Sequence, residues 1–464
     1  MATMLRKRLA DFADSQRLDG GFTETAPGGW FASNGLGGPS TANMSHCVSK
    51  RSNCSAPIGF QVWPLVAALQ LHQIYGNVNG LREFYPSLRA YVELLVRLSS
   101  TTEGMMAIQR GLGEWMPVEN PEVPLAITGR GFMQMSFDRF AKVASLLEMH
   151  ADAEKFRCLA KETAEHFNAD FLDRNGVYRV NATCTHSTTC TTGFRPFACP
   201  ACNSTQCQCY SASTQCGQAL PLFLGIARNP AMVLEQLHSN VVRNGYAMLV
   251  GMQCVEPFFT ALSENGLIDV AYKSAMRTEF PGYGFMLANN ATTLWEDMRL
   301  DTVGHSHNHP MFGAVEGWML RMLGGIRPHP NASGFDHILI AVRPPRKLRS
   351  FSAVYDSVRG RVATAWHWDN TARFHLNVTI PAGSWATVEV PSHGSQDTVV
   401  VRTNTQAVQA AARRSVLSSQ WQPHLACGEY GCSGVRAVTV GSGTYQFSSS
   451  PLKTEDADGY AASS

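Results

Sequence analysis

From Met4 to Gly325 the apolar positions of the chain recur at helical spacing. Leu5, Leu9 and Phe12 form one such face in MLRKRLADFADSQ, which stops at Asp19-Gly20-Gly21. GFQVWPLVAALQLHQIYG reads as an apolar helix closed by Gly76, and LREFYPSLRAYVELLVRLSS follows after a few polar residues. These two are expected to form an antiparallel hairpin. The pattern repeats in GRGFMQMSFDRFAKVASLLEMH and DAEKFRCLAKETAEHFNADFL, with a break expected at His150–Asp152. It repeats again in CGQALPLFLGIA with PAMVLEQLHSNVVRNG, and in EPFFTALSENG with LIDVAYKSAM. A last helix, PMFGAVEGWMLRMLGG, carries Gly324 and Gly325 as its stop. Helix pairs recurring with long irregular segments between them point to an α-hairpin toroid or a solenoid. In a toroid those segments gather at one end, around a shared cleft.

After IRPHPNASGF the period changes. DHILIAV, SFSAVYDSV, RVATAWHWD, ARFHLNVTI, WATVEV and AVTVGSGTYQF are short, roughly alternating, rich in β-branched and aromatic residues, and divided by Gly, Pro and Asn. That pattern predicts an antiparallel β-sandwich. The expected division is residues 1–327 for the helical domain, with a Cys-rich insert at about 181–216, then 328–450 for the sandwich and a flexible polar tail at 451–464. A chain of 464 residues is too long for one ordinary core, which agrees with two domains.

Charge narrows the partners. A net charge of +2, without a concentrated basic patch, gives no footprint for nucleic acid. No apolar run reaches the length needed to cross a bilayer. Cysteine use points outward: 13 are present, seven of them from Cys184 to Cys216, alongside sequons at Asn43, Asn53, Asn181, Asn203, Asn290, Asn331 and Asn377. This composition fits a secreted or extracytoplasmic protein with a disulfide-stapled loop, although MATMLRKRLADFADSQRLDGG has no apolar signal region. CPAC and CQC, between Cys199 and Cys209, leave a zinc reading open beside the disulfide one. Cys158, at helical spacing, is expected to be a buried free cysteine.

Two irregular segments couple acids to an aromatic: LGEWMPVENPE, with Glu114, Trp115, Glu119 and Glu122, and TTLWEDMRLD, with Trp295, Glu296, Asp297 and Asp301. Glycoside hydrolysis uses two carboxyl groups across a cleft, and flat apolar rings on which sugars stack. Alone, the pairing is equally compatible with capped acids at helix ends. His305, His307 and His309 in HSHNH would share a face if extended, which raises a metal reading, but no spaced carboxylate or cysteine completes the set.

The span FPGYGFMLANNATTLWEDM…SHNHPMFGAVEGWMLRMLGGI resembles the inverting α-L-rhamnosidases of glycoside hydrolase family 78. That family carries a Gly-Ala-Thr-Thr-Leu/Ile-Trp-Glu stretch, followed by a Ser-x-Asn-His-x-x-Phe-Gly-(Ala/Ser)-Val stretch. LADFADSQRLDGGFTETAP, LGEWMP, IPAGSWATVEVP and GSGTYQF are similar to further parts of it, so the resemblance covers most of residues 4–448 outside the Cys-rich insert. It implies an (α/α)6-type six-hairpin toroid followed by the sandwich. It also implies a rhamnoside substrate, no cofactor or metal, and Glu296 as the general base that activates the hydrolytic water. Trp115 and His309 would line the rhamnose pocket, with Glu114 and Trp295 beside them. Phe60, in GFQVW, stands where the family often has Gly-Trp-Gly-Asp-Ala: an aromatic wall is kept and the acid is missing.

A second departure is larger. The family's general acid lies in an Asp-Cys-Pro-Gln-Arg-Asp-Glu-Arg-Leu-Gly-Trp stretch ahead of the helix matched by MLRKRLADF, and no similar string occurs in this chain. The toroid is therefore expected to be incomplete at its N-terminus. The alternatives are a truncated or pseudoenzyme form that binds carbohydrate without efficient catalysis, or another toroid glycosidase or lyase. A glycan at Asn290 would obstruct a cleft beside Glu296, so that sequon is expected to stay unmodified.

Overall fold

The helices Leu125–Leu146 and His150–Phe171 show how the helical part is built. Phe137, Phe140 and Phe156 are all buried between them, with ring centroids 4.8 Å apart for Phe140–Phe156 and 5.8 Å for Phe137–Phe156. Each such ring removed from water contributes roughly 2–3 kcal/mol. The turn between the helices comes earlier than the sequence pattern places it. The Met149 N–H returns to the Ala144 carbonyl and Glu148 takes a left-handed φ of 60°, so His150 already opens the second helix. The helix Val78–Ser99 packs on the same pair: Tyr85 stacks on Phe140 at 5.3 Å, and the Tyr91 and Ser136 hydroxyls meet at 3.2 Å.

The computed structural model describes residues 2–22, 58–109, 113–118, 123–184, 189–191, 196–198, 207–300, 305–371, 373–392, 399–403, 419–423 and 434–449. Glu119, Glu122, Asp301, the sequons at Asn43, Asn53 and Asn203, the side chains of residues 182–209 of the Cys-rich insert and the tail at 451–464 lie outside the described residues. Two compact units form the chain. One holds residues 1–72, 77–244 and 249–258; the other holds 73–76, 245–248 and 259–464.

In the first unit, the stretch read as one helix from GFQVW is two, Ile58–Gln61 and Trp63–Tyr75. Pro64 has no N–H for the carbonyl one turn back, which divides them. Another pair, Gln215–Phe223 and Pro230–Arg243, follows the Cys-rich insert. The insert contributes four short strands: β1 (Asn181–Cys184) pairs with β4 (Cys207–Tyr210), and β2 (Thr189–Thr191) with β3 (Pro196–Ala198). Cys158 is exposed, against expectation. The buried positions of its helix include Ala153, Phe156, Ala160, Thr163 and Phe167, and Cys158 falls on the other side with its Sγ 3.4 Å from Glu154.

The helix Val255–Glu264, whose residues from Phe259 on belong to the second unit, ends in a tight turn at Gly266 (φ 88°), followed by Ile268–Ala275. A short helix, Tyr283–Ala288, was not visible in the periodicity. The last helix winds in three ways: a 3-10 turn at Pro310–Gly313, α at Ala314–Trp318 and a π turn at Met319–Leu323. The buried Trp318 stacks on Phe259 at 4.9 Å and donates to the Ser263 hydroxyl at 2.7 Å.

The sandwich follows in the same unit as two five-stranded sheets. One has the order β12-β13-β10-β6-β5, from Ser419–Pro423, Gly434–Val440, Trp385–Ser392, His337–Ala341 and Ile326–Pro328. The other has the order β11-β14-β9-β8-β7, from Val400–Thr403, Gly443–Ser448, Phe374–Ile380, Gly360–Trp368 and Ser350–Ser357. Ile338, Ile340, Trp366, Leu376, Val378, Val388 and Phe447 fill the space between them. AVTVGSGTYQF is two strands, because Gly443 (φ 144°) turns the chain into the opposite sheet. One pairing departs from the antiparallel rule: β6 and β10 run parallel, with Trp385 opposite His337. The chain leaves β6 for the other sheet, lays down β7, β8 and β9, and returns as β10 pointing the same way.

Candidate active-site segments

In the second unit, the segments around Trp295 and His307 lie side by side through backbone and side-chain bonds. The His309 N–H donates to the Leu294 carbonyl and the Glu296 N–H to the Ser306 carbonyl, both at 2.8 Å. The Ser306 N–H returns the bond to Glu296 Oε2 at 2.9 Å, and the Thr293 hydroxyl donates to the His307 carbonyl. These exchanges hold the Glu296 side chain at a defined place, only 16% exposed. His305 Nδ1 lies 3.8 Å and His309 Nδ1 4.0 Å from Glu296 Oε2. The backbone donor stabilises the negative charge of this carboxylate, with two imidazole rings beside it.

The neighbours of Glu296 face elsewhere. Trp295 is buried, 3% exposed, and His307 lies flat on its ring at 4.6 Å and 17°. Trp295 thus supports the segment from below and carries His307 on its face. Asp297 is buried at 1% exposure and is held by Arg299, whose Nη2 approaches at 2.8 Å and whose backbone N–H donates at 2.9 Å. The three histidines of HSHNH divide: two face Glu296 and one stacks on Trp295. Tyr283 braces the segment that follows. Its hydroxyl donates to the Phe312 carbonyl at 2.9 Å, and burial pushes its phenol well above the usual range.

In the first unit, residues 113–118 are laced to residues 249–253. The Val118 N–H donates to the Leu249 carbonyl at 3.0 Å and the Met252 N–H to the Trp115 carbonyl at 2.8 Å. Glu114 is buried, with Oε2 accepting from the Gly251 N–H at 3.0 Å. The Trp115 N–H donates to Gln253 Oε1 at 2.6 Å. Gly251 is required at the crossing, since a Cβ there would sit 2.3 Å from the Trp115 carbonyl oxygen. Gly59 packs close by, where a Cβ would lie 3.6 Å from Gln253 Cγ, so the helix carrying Phe60 comes to the same place. Trp115 and Phe60 are half-buried, whereas Glu114 is enclosed.

Behind this lacing, Cys216 and Cys254 form a disulfide, and both sulfurs lie within 4.8 Å of a Glu114 carboxylate oxygen. The density of cysteines in the insert pointed to disulfides within it; Cys216, at its end, pairs with a cysteine 38 residues away, and the side chains of the other six lie outside the described residues. Gly251 and Gln253 stand in no motif of the sequence: Gly251 acts through its backbone N–H and Gln253 through its side-chain oxygen. His305 was visible in HSHNH and Ser306 in the family-like Ser-x-Asn-His stretch, but their partnership with Glu296 was not.

A helical-hairpin unit carrying an acid flanked by imidazoles, followed by a sandwich, belongs to the class of six-hairpin glycosidases. Residues 1–323 match the bacterial alpha-L-rhamnosidase six-hairpin glycosidase domain, and residues 325–405 the bacterial alpha-L-rhamnosidase C-terminal domain. The chain belongs to this α-L-rhamnosidase family. An alpha-L-rhamnosidase of Streptomyces avermitilis is 23% identical over 403 residues, covering 84% of this chain and 33% of that protein. One from Formosa agariphila is 24% identical over 359 residues, covering 74% and 35%. This chain therefore spans about a third of the length of these curated relatives. Among solved structures, the alpha-L-rhamnosidase of Dictyoglumus thermophilum superposes with a TM-score of 0.73 at 23% identity, covering 97% of this chain and 43% of that one. The Streptomyces avermitilis enzyme complexed with L-rhamnose gives 0.69 at 21% identity, covering 96% and 36%. These likenesses show the fold: a mainly helical six-hairpin domain followed by a sandwich.

Proposed function

We propose that this chain carries the hydrolytic part of an α-L-rhamnosidase, with Glu296 as the general base of an inverting reaction. The observation that carries the reading is the environment of Glu296: a partly open carboxylate, fixed by the Ser306 N–H and flanked by His305 and His309. In such a reaction the carboxylate takes a proton from water as the oxygen attacks the anomeric carbon from the face opposite the leaving group. In the same step the glycosidic bond breaks and its oxygen takes a proton from a general acid, a role that no residue of this chain is assigned. Trp115 and Phe60 offer partly exposed rings for sugar contact, and His309 offers a polar edge. Trp295 and Glu114 serve the same reading as supports behind Glu296 and Trp115.

The test is hydrolysis of an aryl α-L-rhamnoside, with the anomer first released read by proton NMR. Release of the β-anomer supports inversion, and release of the α-anomer rejects it. An unchanged rate for Glu296→Gln removes Glu296 from the chemistry. Tight rhamnose binding with no turnover selects the carbohydrate-binding alternative.

The same reading sets the protein outside the cytosol. The exposed sequons at Asn181, Asn331 and Asn377 would carry glycans, while Asn290, six residues before Glu296, would not. Glycopeptide mass spectrometry finding Asn290 fully occupied rejects that assignment. Among the described residues, no helix is long and apolar enough to cross a membrane.

A further inference from the structure

The lacing behind Trp115 ends in a covalent bond that the proposed chemistry does not use. Cys254 directly follows the residues that grip Trp115: Gly251 holds Glu114, Met252 holds the Trp115 carbonyl and Gln253 holds its N–H. Cys216 lies in the first turn of the helix Gln215–Phe223, and its neighbour Gln215 accepts the Leu249 N–H at 2.9 Å through Oε1. Residues 249–254 are thus fastened to that helix at both ends, by a side-chain hydrogen bond at Leu249 and by the disulfide at Cys254. Both cysteines are fully buried, and so is Glu114.

We infer that the Cys216–Cys254 disulfide, acting through residues 249–253, is the positioning element that sets Trp115 for sugar recognition. The inference rests on the reading of Trp115 as a pocket ring and adds what fixes that ring in place. The arrangement is stiff in every direction the segment could move. A shift of residues 249–254 toward residues 113–118 brings Gly251 onto the Trp115 carbonyl oxygen, and a shift away breaks the four hydrogen bonds that join the two segments. Sliding along the helix is blocked by the disulfide. The bond is also shielded from exchange. An incoming thiolate would have to enter a buried site already occupied by the Glu114 side chain, and the loss of its solvation there opposes it.

The experiment compares four variants of the whole protein, each checked for folding by circular dichroism: Trp115→Ala, Cys216→Ala/Cys254→Ala, Gly251→Ala and, as a control for lost stability, Phe156→Leu in the distant part of the helical core. L-rhamnose affinity is measured by calorimetry, and amide exchange is followed in peptides covering residues 113–118. The expected result is at least a tenfold loss of affinity for the cysteine pair and for Gly251→Ala, alongside that of Trp115→Ala, with faster exchange at 113–118. Phe156→Leu keeps its affinity even where its melting temperature falls as far. If the cysteine variant does not fold, Gly251→Ala carries the comparison. A folded cysteine variant with wild-type affinity and unchanged exchange overturns the inference, as does recovery of both cysteines as free thiols from protein made in an oxidising compartment. If Trp115→Ala binds like wild type, the pocket reading fails separately. The exchange data then decide whether the disulfide sets the segment at all: faster exchange upholds the clamp, and unchanged exchange removes it.

Discussion

The Trp115 and Glu296 segments are both irregular, both join an acid to a tryptophan, and are held in opposite ways. Glu114 is the enclosed member of its pair and Trp115 the partly open one; at the second segment Trp295 is enclosed and Glu296 is partly open. The Trp115 segment is fixed from behind, by buried bonds and a disulfide. The Glu296 segment is fixed from the side, by exchange of backbone bonds with Ser306 and His309 and by a ring laid on Trp295. The difference teaches that either member of a Trp–acid pair can be the one that meets solvent, Trp115 in the first and Glu296 in the second. Spacing in the sequence is the same for both, so the spacing alone does not say which residue works.

This contrast is open to direct attack. The largest effect expected is on rate: Glu296→Gln lowers turnover of an aryl α-L-rhamnoside by about 10²–10⁴-fold, with the circular dichroism spectrum unchanged. A loss of fold instead would make Glu296 a structural brace like Glu114, and the contrast would collapse. Next comes stability. Cys216→Ala/Cys254→Ala opens a loop of 38 residues, and chain entropy puts the loss at about 3–4 kcal/mol. Urea unfolding measures it. A change below about 1 kcal/mol would mean that the clamp is held by its hydrogen bonds alone.

A smaller effect separates the two adjacent acids. Asp297→Asn leaves Arg299 half-exposed and solvated, so it is expected to cost about 1–3 kcal/mol of stability and to leave turnover within a few-fold. A rate loss equal to that of Glu296→Gln would show that the two acids act together. The smallest effect tests an imidazole that differs from those beside Glu296. His337 is stacked between His329 at 3.9 Å and Trp385 at 3.4 Å, and its Nε2 meets the Thr387 hydroxyl at 2.9 Å. Burial and the neighbouring His329 push its pKa down to about 4, against a partial opposing pull from Asp336. The unfolded chain therefore takes up the proton first as pH falls below about 6.5. Stability from this site is complete above that pH and is lost progressively toward pH 4. The urea midpoint should fall between pH 7 and pH 4.5, and His337→Asn should reduce that fall.

Much of the fold was legible because burial imposes a period. Phe137, Phe140 and Phe156 recur as a helix face must, and Ile338, Ile340, Leu376 and Val378 alternate as an inner sheet face must. The boundaries were less legible where one residue decided them: Glu148 in a left-handed turn, or Pro64 dividing a helix whose apolar pattern is continuous. Cys158 shows the limit of the periodic reading. Two residues from both Phe156 and Ala160, it lies on the helix face opposite the apolar stripe, and that face meets solvent. At the candidate site the acids and aromatics were visible from their types. The groups that aim them, such as the Ser306 and Gly251 N–H, are backbone atoms, and every residue but proline supplies one.

The parallel pairing of β6 with β10 has a consequence for how the sandwich comes into being. These strands occupy the middle of their sheet, yet the whole of β7, β8 and β9 separates them in the chain. No hairpin can nucleate their contact, so the entropy of closing that intervening loop falls on the step that joins them. During synthesis the β7–β8–β9 meander can assemble from neighbouring strands as it emerges, while β6 waits for β10 with an unpaired apolar edge. That interval is when the nascent chain is most exposed to pairing with the wrong strand.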